Sequence, residues 1–158
     1  MESIIEWKDG FAFEARNGSF SIPMDATYPI GHQHGSNPKE VLLSAVAGCA
    51  GMDVMGILKK KKQKIDSLKI TAMADQSTKT YPHIFTGIDL VFEFIGIVDY
   101  DEVLRAVQLS QNLYSGVSAM ICETVPIKWV VFVDGVNIGN GSAYFNQDED
   151  FYQTSFEG

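Results

Sequence analysis

The run VLLSAVAGCAGMDVMGIL, residues 41–58, constrains the fold more than any other stretch of the chain. Wound at about 100° per residue, it presents no continuous polar face, so a helix there has to be surrounded by protein or lipid. A membrane span takes about 20 predominantly apolar residues. Here Asp53 interrupts the run, small residues dilute it, and Lys59 to Lys62 close it abruptly. The sequence therefore predicts a core helix and no membrane partner. Ala45, Ala47, Gly48, Ala50 and Gly51 let a neighbouring backbone come close. Asn37 is the expected N-cap, Pro38 the first helical residue and Glu40 the reciprocal partner of a capping box. The lysines suit the negative end of the helix dipole.

Around this helix the chain alternates between strand and helix patterns. SIIEW, FAFEA and SFSIPM are separated by KDG and RNG, strong hairpin signals, and predict a β-meander. YPIGHQHGSNP is a loop. SLKITAMAD and FTGIDLVFEFIGI are predicted strands, the second with Ile88, Leu90, Phe92 and Phe94 on one face and Asp89 and Glu93 on the other. DYDEVLRAVQLSQNLYSGVSAMI is predicted as one second helix, with Asp99 and Glu102 spaced as a capping box, and PIKWVVFV as the last strand. The order βββ-α-ββ-α-β describes an α+β protein with antiparallel sheets and two long helices. A chain of 158 residues is long enough for a substantial core. Its net charge of −8 argues against nucleic acid and anionic membranes, which need a cationic face. The start lacks a basic segment followed by an apolar run, so no signal peptide is expected. Two cysteines without such a leader suggest thiols in a reducing, cytoplasmic compartment. Residues 135–158 contain no Lys or Arg, are Gly- and Asn-rich at first and acidic later. They are expected to form an acidic C-terminal extension, either mobile or docking its aromatic residues on a hydrophobic groove.

Cys49 is the one serious nucleophile, and the residues alone leave two readings: a reactive thiol, or a small buried one. An ordinary thiol is mostly protonated at neutral pH, and Asp53, one turn further on, adds a negative charge that opposes the thiolate. Activation would call for a cation. His32 and His34 in GHQHG face one way in an extended loop, but two imidazoles fall short of a closed zinc site, so no metal and no cofactor is expected. Cys122 lies seven residues beyond Ser115, about 10 Å along a helix, outside disulfide reach of whatever Ser115 faces.

NPKEVLLSAVAGCAGMDVMGILKKKKQ, YPHIFTGIDLVFEFIG and VLRAVQLSQNLYSGVSAM, in this order, resemble the OsmC/Ohr family of thiol-dependent organic hydroperoxide reductases. The resemblance covers residues 1–134. It implies an OsmC-like fold of strongly curved sheets around two helices, in an intertwined homodimer whose partner covers the second face of the 41–58 helix. It places Cys49 at the position that attacks the hydroperoxide and becomes a sulfenic acid. Arg16 comes from the N-terminal β region that supplies the polarising arginine in the family. Glu40 matches the glutamate of the Pro-x-Glu-Leu pattern, although nine helical residues turn it about half a circle from Cys49. Where the family carries its resolving cysteine, this chain has Ser115. An external dithiol would then have to reduce the sulfenic acid. Val46, Met52, Met55, Tyr114 and Ser115 are the expected lining for a small apolar hydroperoxide. The alternative implied by the missing thiol is a non-catalytic member that binds a small apolar ligand or serves as a dimeric scaffold.

Overall fold

The computed structural model describes residues 1–79 and 81–145, and the chain divides into two compact units, Met1–Ser44 and Ala45–Gly158. In the first unit, β1 (Ile4–Asp9), β2 (Ala12–Asn17) and β3 (Phe20–Met24) form the expected antiparallel meander. Gly10 and Gly18 turn the two hairpins at φ of 50° and 65°, left-handed values that glycine adopts without a Cβ clash. The sheet carries almost no core of its own. Ala15 is its one buried strand residue, while Ile5, Trp7, Phe13 and Phe20 are exposed, Trp7 to 64%.

After β3 the chain winds around one carboxylate. Asp25 is 2% exposed and accepts backbone N–H groups from Ala26 at 2.7 Å, His32 at 3.0 Å and His34 at 3.1 Å. The His34 N–H, with those of His32 and Ala26, holds the Asp25 carboxyl below the usual carboxylate range against the opposing effect of burial. A carboxyl lowered on folding stabilises the fold above its unfolded-state value of about 3.9, and that stability is lost as pH falls through the folded value. Thermal unfolding followed from pH 7 to pH 3 should therefore show a steeper loss for wild type than for Asp25→Asn, the two converging at the acid end.

The first helix, α1 (Pro38–Lys60), starts in this unit as the sequence predicts. Asn37 Oδ1 accepts from the N–H groups of Lys39 and Glu40, and Glu40 Oε2 accepts from the Asn37 N–H at 2.8 Å. In the second unit α1 is buried only along Val46, Ala50, Val54 and Leu58, four residues apart and hence one stripe. The helix is long and apolar enough to cross a membrane by length and composition. Its other faces are open in the single chain, with Met52 exposed to 74%.

The rest of the second unit is β4 (Lys64–Gln76), β5 (Phe85–Ile97), α2 (Tyr100–Leu109), α3 (Gly116–Cys122), β6 (Ile127–Val133) and β7 (Val136–Ser142). The strands form one sheet in the order β4-β5-β6-β7. Ile88, Leu90, Phe92 and Phe94 of β5 share the core with Ile127, Trp129, Val131 and Val133 of β6, and Val103, Ala106 and Val107 of α2 are buried too.

Three expectations are corrected. The sheet is mixed, because β5 pairs with β6 in parallel; the helical segment between them acts as the crossover that parallel neighbours require. The second helix is not continuous: α2 passes into a π-helical turn, Ser110–Tyr114, and the chain breaks at Ser115, whose ψ is 96°. The presumed extension also contributes a strand, since β7 occupies 136–142, and Ala143 N–H still bonds the Ile127 carbonyl at 2.8 Å. Its glycines are there for packing. A Cβ on Gly139 would lie 2.7 Å from Leu104 Cδ1, and one on Gly141 would run into the Trp129 ring. Residues 146–158, which carry Phe151, Tyr152 and Phe156, lie outside the described residues.

Candidate functional site

Cys49 sits mid-way along α1, half-buried, one residue before Ala50 of the buried stripe. The Ala50 carbonyl accepts a bond from Ser110 Oγ at 3.3 Å, which ties the π-helical turn to α1. Helical geometry puts Asp53, Gly56 and Lys60 within about 40° of Cys49 around the axis. This face borders a cavity of about 500 Å³, walled by Met52 and Ile57 on one side and Leu109 and Tyr114 on the other. Asp53, Lys60 and Lys61 line it too, Lys60 about 10 Å further along the helix axis than Asp53. A Cβ on Gly56 would meet nothing within 4 Å, so the glycine leaves the groove open.

Asp53 is the unusual group. Its Oδ2 is sealed from solvent and has no hydrogen-bond partner among the described residues. Burial pushes its carboxyl above the ordinary range. Lys61 is drawn instead to Glu102, at 3.4 Å. On the other flank of Met52, Gly48, Gly51 and Met55 border a second cavity of about 600 Å³ against β4.

The residues expected from the sequence are only partly brought together. Met52, shared by both cavities, Met55 and Tyr114 line them. Val46 does not, being fully buried in the core stripe. Ser115 is also fully buried, and its hydroxyl caps α3, donating to Ser118 Oγ at 3.0 Å and accepting from the Ser118 N–H at 3.4 Å. It is thus a structural cap. Ser115→Ala should cost about 1 kcal/mol of stability, the usual worth of such a cap, readable in chemical denaturation. Arg16 stands in β2, exposed, and pairs with Glu14 at 3.1 Å and Glu6 at 3.6 Å. Glu40 spends a carboxylate oxygen on its capping box. Both side chains engage local partners.

His32 and His34 stack with ring centroids 5.6 Å apart, both exposed. Among the described residues no three His, Cys, Asp or Glu side chains converge as metal ligands. Cys122 is a free, half-buried thiol at the end of α3, 3.7 Å from the Ala119 carbonyl. Burial, then the neighbouring Glu123 charge, pushes that thiol up. The sequence had offered Asp53 only as a charge opposing the thiolate. Its spacing of four from Cys49 was the available signal, and its lack of any partner needed the packing.

A family model describing OsmC-like proteins matches residues 31–130. The chain is 30% identical over 129 residues to YhfA of Escherichia coli strain K12, covering 80% of this chain and 93% of YhfA. In three dimensions it is similar to an OsmC-like protein from Mycoplasma pneumoniae, with a TM-score of 0.73 and 18% identity over 84% of this chain and 95% of the other. It is similar too to OhrB of Bacillus subtilis, an organic hydroperoxide resistance protein, with a TM-score of 0.62, 17% identity and coverage of 84% and 98%.

Proposed function

The chain belongs to the OsmC-like protein family, and from that premise we propose that it reduces organic hydroperoxides with Cys49 as the peroxide-attacking thiol. The observation that carries this is the position of Cys49: half-buried on α1, inside the matched region, on the helix face that borders a largely apolar cavity of about 500 Å³. Such a cavity suits the alkyl body of a hydroperoxide better than hydrogen peroxide. The thiolate attacks the terminal peroxide oxygen, giving a sulfenic acid and an alcohol. Ser115 is serine and a cap, so an external dithiol closes the cycle.

The working unit in this proposal is a homodimer in the cytoplasm. The open apolar faces of α1, and separately the exposed large apolar side chains of the meander, support the assembly, because a monomer rarely leaves so many of them in water. A non-catalytic reading, in which a small apolar ligand fills the groove, is favoured by one fact: Arg16 is already paired with Glu6 and Glu14. Turnover separates the two. With a dithiol reductant, the peroxidase reading expects steady consumption of tert-butyl hydroperoxide by the purified protein, and the ligand-binding reading expects none.

A further inference from the structure

We infer that Asp53 is the general acid–base of the Cys49 reaction, taking the thiol proton and returning it to the departing alkoxide. The inference rests on the peroxidase reading above and names the group that moves its proton. Two independent features carry it. Asp53 follows Cys49 by four residues on α1, a spacing that leaves their Cβ atoms about 5–6 Å apart on one face. Asp53 lines the cavity, and its Oδ2 is enclosed and without a hydrogen-bond partner among the described residues, so no ion pair or capping bond among them explains a carboxyl there.

The step balances without further reagents. The Asp53 carboxylate removes the proton from the Cys49 thiol. The thiolate sulfur attacks the hydroperoxide oxygen that bears hydrogen, and the O–O bond breaks. The alkoxide takes the proton from the Asp53 carboxyl. Sulfur is oxidised by two electrons and the peroxide reduced by two, leaving Cys49 sulfenic acid, an alcohol and a regenerated carboxylate. A carboxyl held above its ordinary range by burial is a stronger base than an exposed one, and its proton affinity moves toward that of the thiol it serves. Among the described residues, the charged and titratable groups that line the cavity with it are Lys60, Lys61 and Tyr114 of the π-helical turn, and Glu102 of α2 is engaged with Lys61.

The test is the rate at which Cys49 forms a sulfenic acid with tert-butyl hydroperoxide in a single turnover, beside its alkylation by iodoacetamide. Asp53→Asn keeps the shape and breaks no ion pair. At pH 7 it should slow the peroxide reaction about 100-fold, the usual scale of a lost acid–base group. At a pH where the thiol is fully ionised, alkylation should match wild type. A variant that reacts as fast as wild type, or faster, overturns the inference and leaves Asp53 as a charge that merely opposes the thiolate. The wild-type pH profile is a second measurement, independent of how the variant folds. A rate that rises with a carboxyl ionisation and then levels supports the inference, and one that follows thiol ionisation alone overturns it. A wild type that alkylates normally yet forms no sulfenic acid overturns the peroxidase reading itself, and the role of Asp53 with it.

Discussion

Cys49→Ser is expected to lower hydroperoxide reduction by at least about 1000-fold, because a hydroxyl cannot replace a thiol as the attacking and oxidisable atom. Cys122→Ser should leave activity close to that of wild type. The contrast follows from surroundings as much as from family position. Cys122 is a half-buried thiol raised by its burial and by the Glu123 charge, both of which suppress the thiolate. Cys49 lies on the helix face that carries Asp53 and Gly56 into an open, largely apolar cavity, one turn from a carboxyl without a partner among the described residues. Coupled assays of dithiol oxidation on the two variants check this directly. Equal activity in wild type and Cys49→Ser would move the chemistry elsewhere or remove it.

The second large effect concerns assembly. Denaturant unfolding of the protein should be concentration-dependent, each tenfold dilution lowering the apparent stability by about 1.4 kcal/mol, as for a dimer that dissociates on unfolding. The single chain explains why. Its three-stranded meander buries one strand residue, Ala15, and α1 is covered along one stripe although apolar on nearly every side. Sedimentation at micromolar concentration should find two copies and no folded monomer. A compact monomer with a concentration-independent midpoint would contradict the homodimer.

The elements that local chemistry specifies were legible in the sequence. Asp9-Gly10 and Asn17-Gly18 turn their hairpins, Asn37 and Glu40 form a complete capping box, and the alternating apolar residues of β5 all face inward. The second capping box is only half present. Asp99 accepts from the N–H groups of Asp101 and Glu102, but Gln63 supplies the acceptor for the Asp99 N–H, and Glu102 turns to Lys61. What escaped depended on partners distant in sequence. Strand β7 carries Gly139 and Gly141 because Leu104 and Trp129 occupy the space their side chains would take. The break at Ser115 had a local signal in Ser115-Gly116, a turn dipeptide, but the helical apolar pattern on either side of it masked the signal. At the cavities, the lining by Met52, Met55 and Tyr114 was readable. Periodicity could not show that Val46 joins the core stripe, that Ser115 is spent on a cap, or that Asp53 has no partner.

The most direct measurement is peptide-level mass spectrometry of the native protein after one equivalent of tert-butyl hydroperoxide. Met52, three residues from Cys49 and lining the same cavity as Asp53, is a built-in competitor for the oxidant. An activated thiol should take the oxygen first, so the expected result is a sulfenic acid on Cys49 with Met52 unmodified. Oxygen on Met52, or on the exposed Met73 and Met120, with Cys49 still a free thiol, would contradict Cys49 as the peroxide-reducing centre.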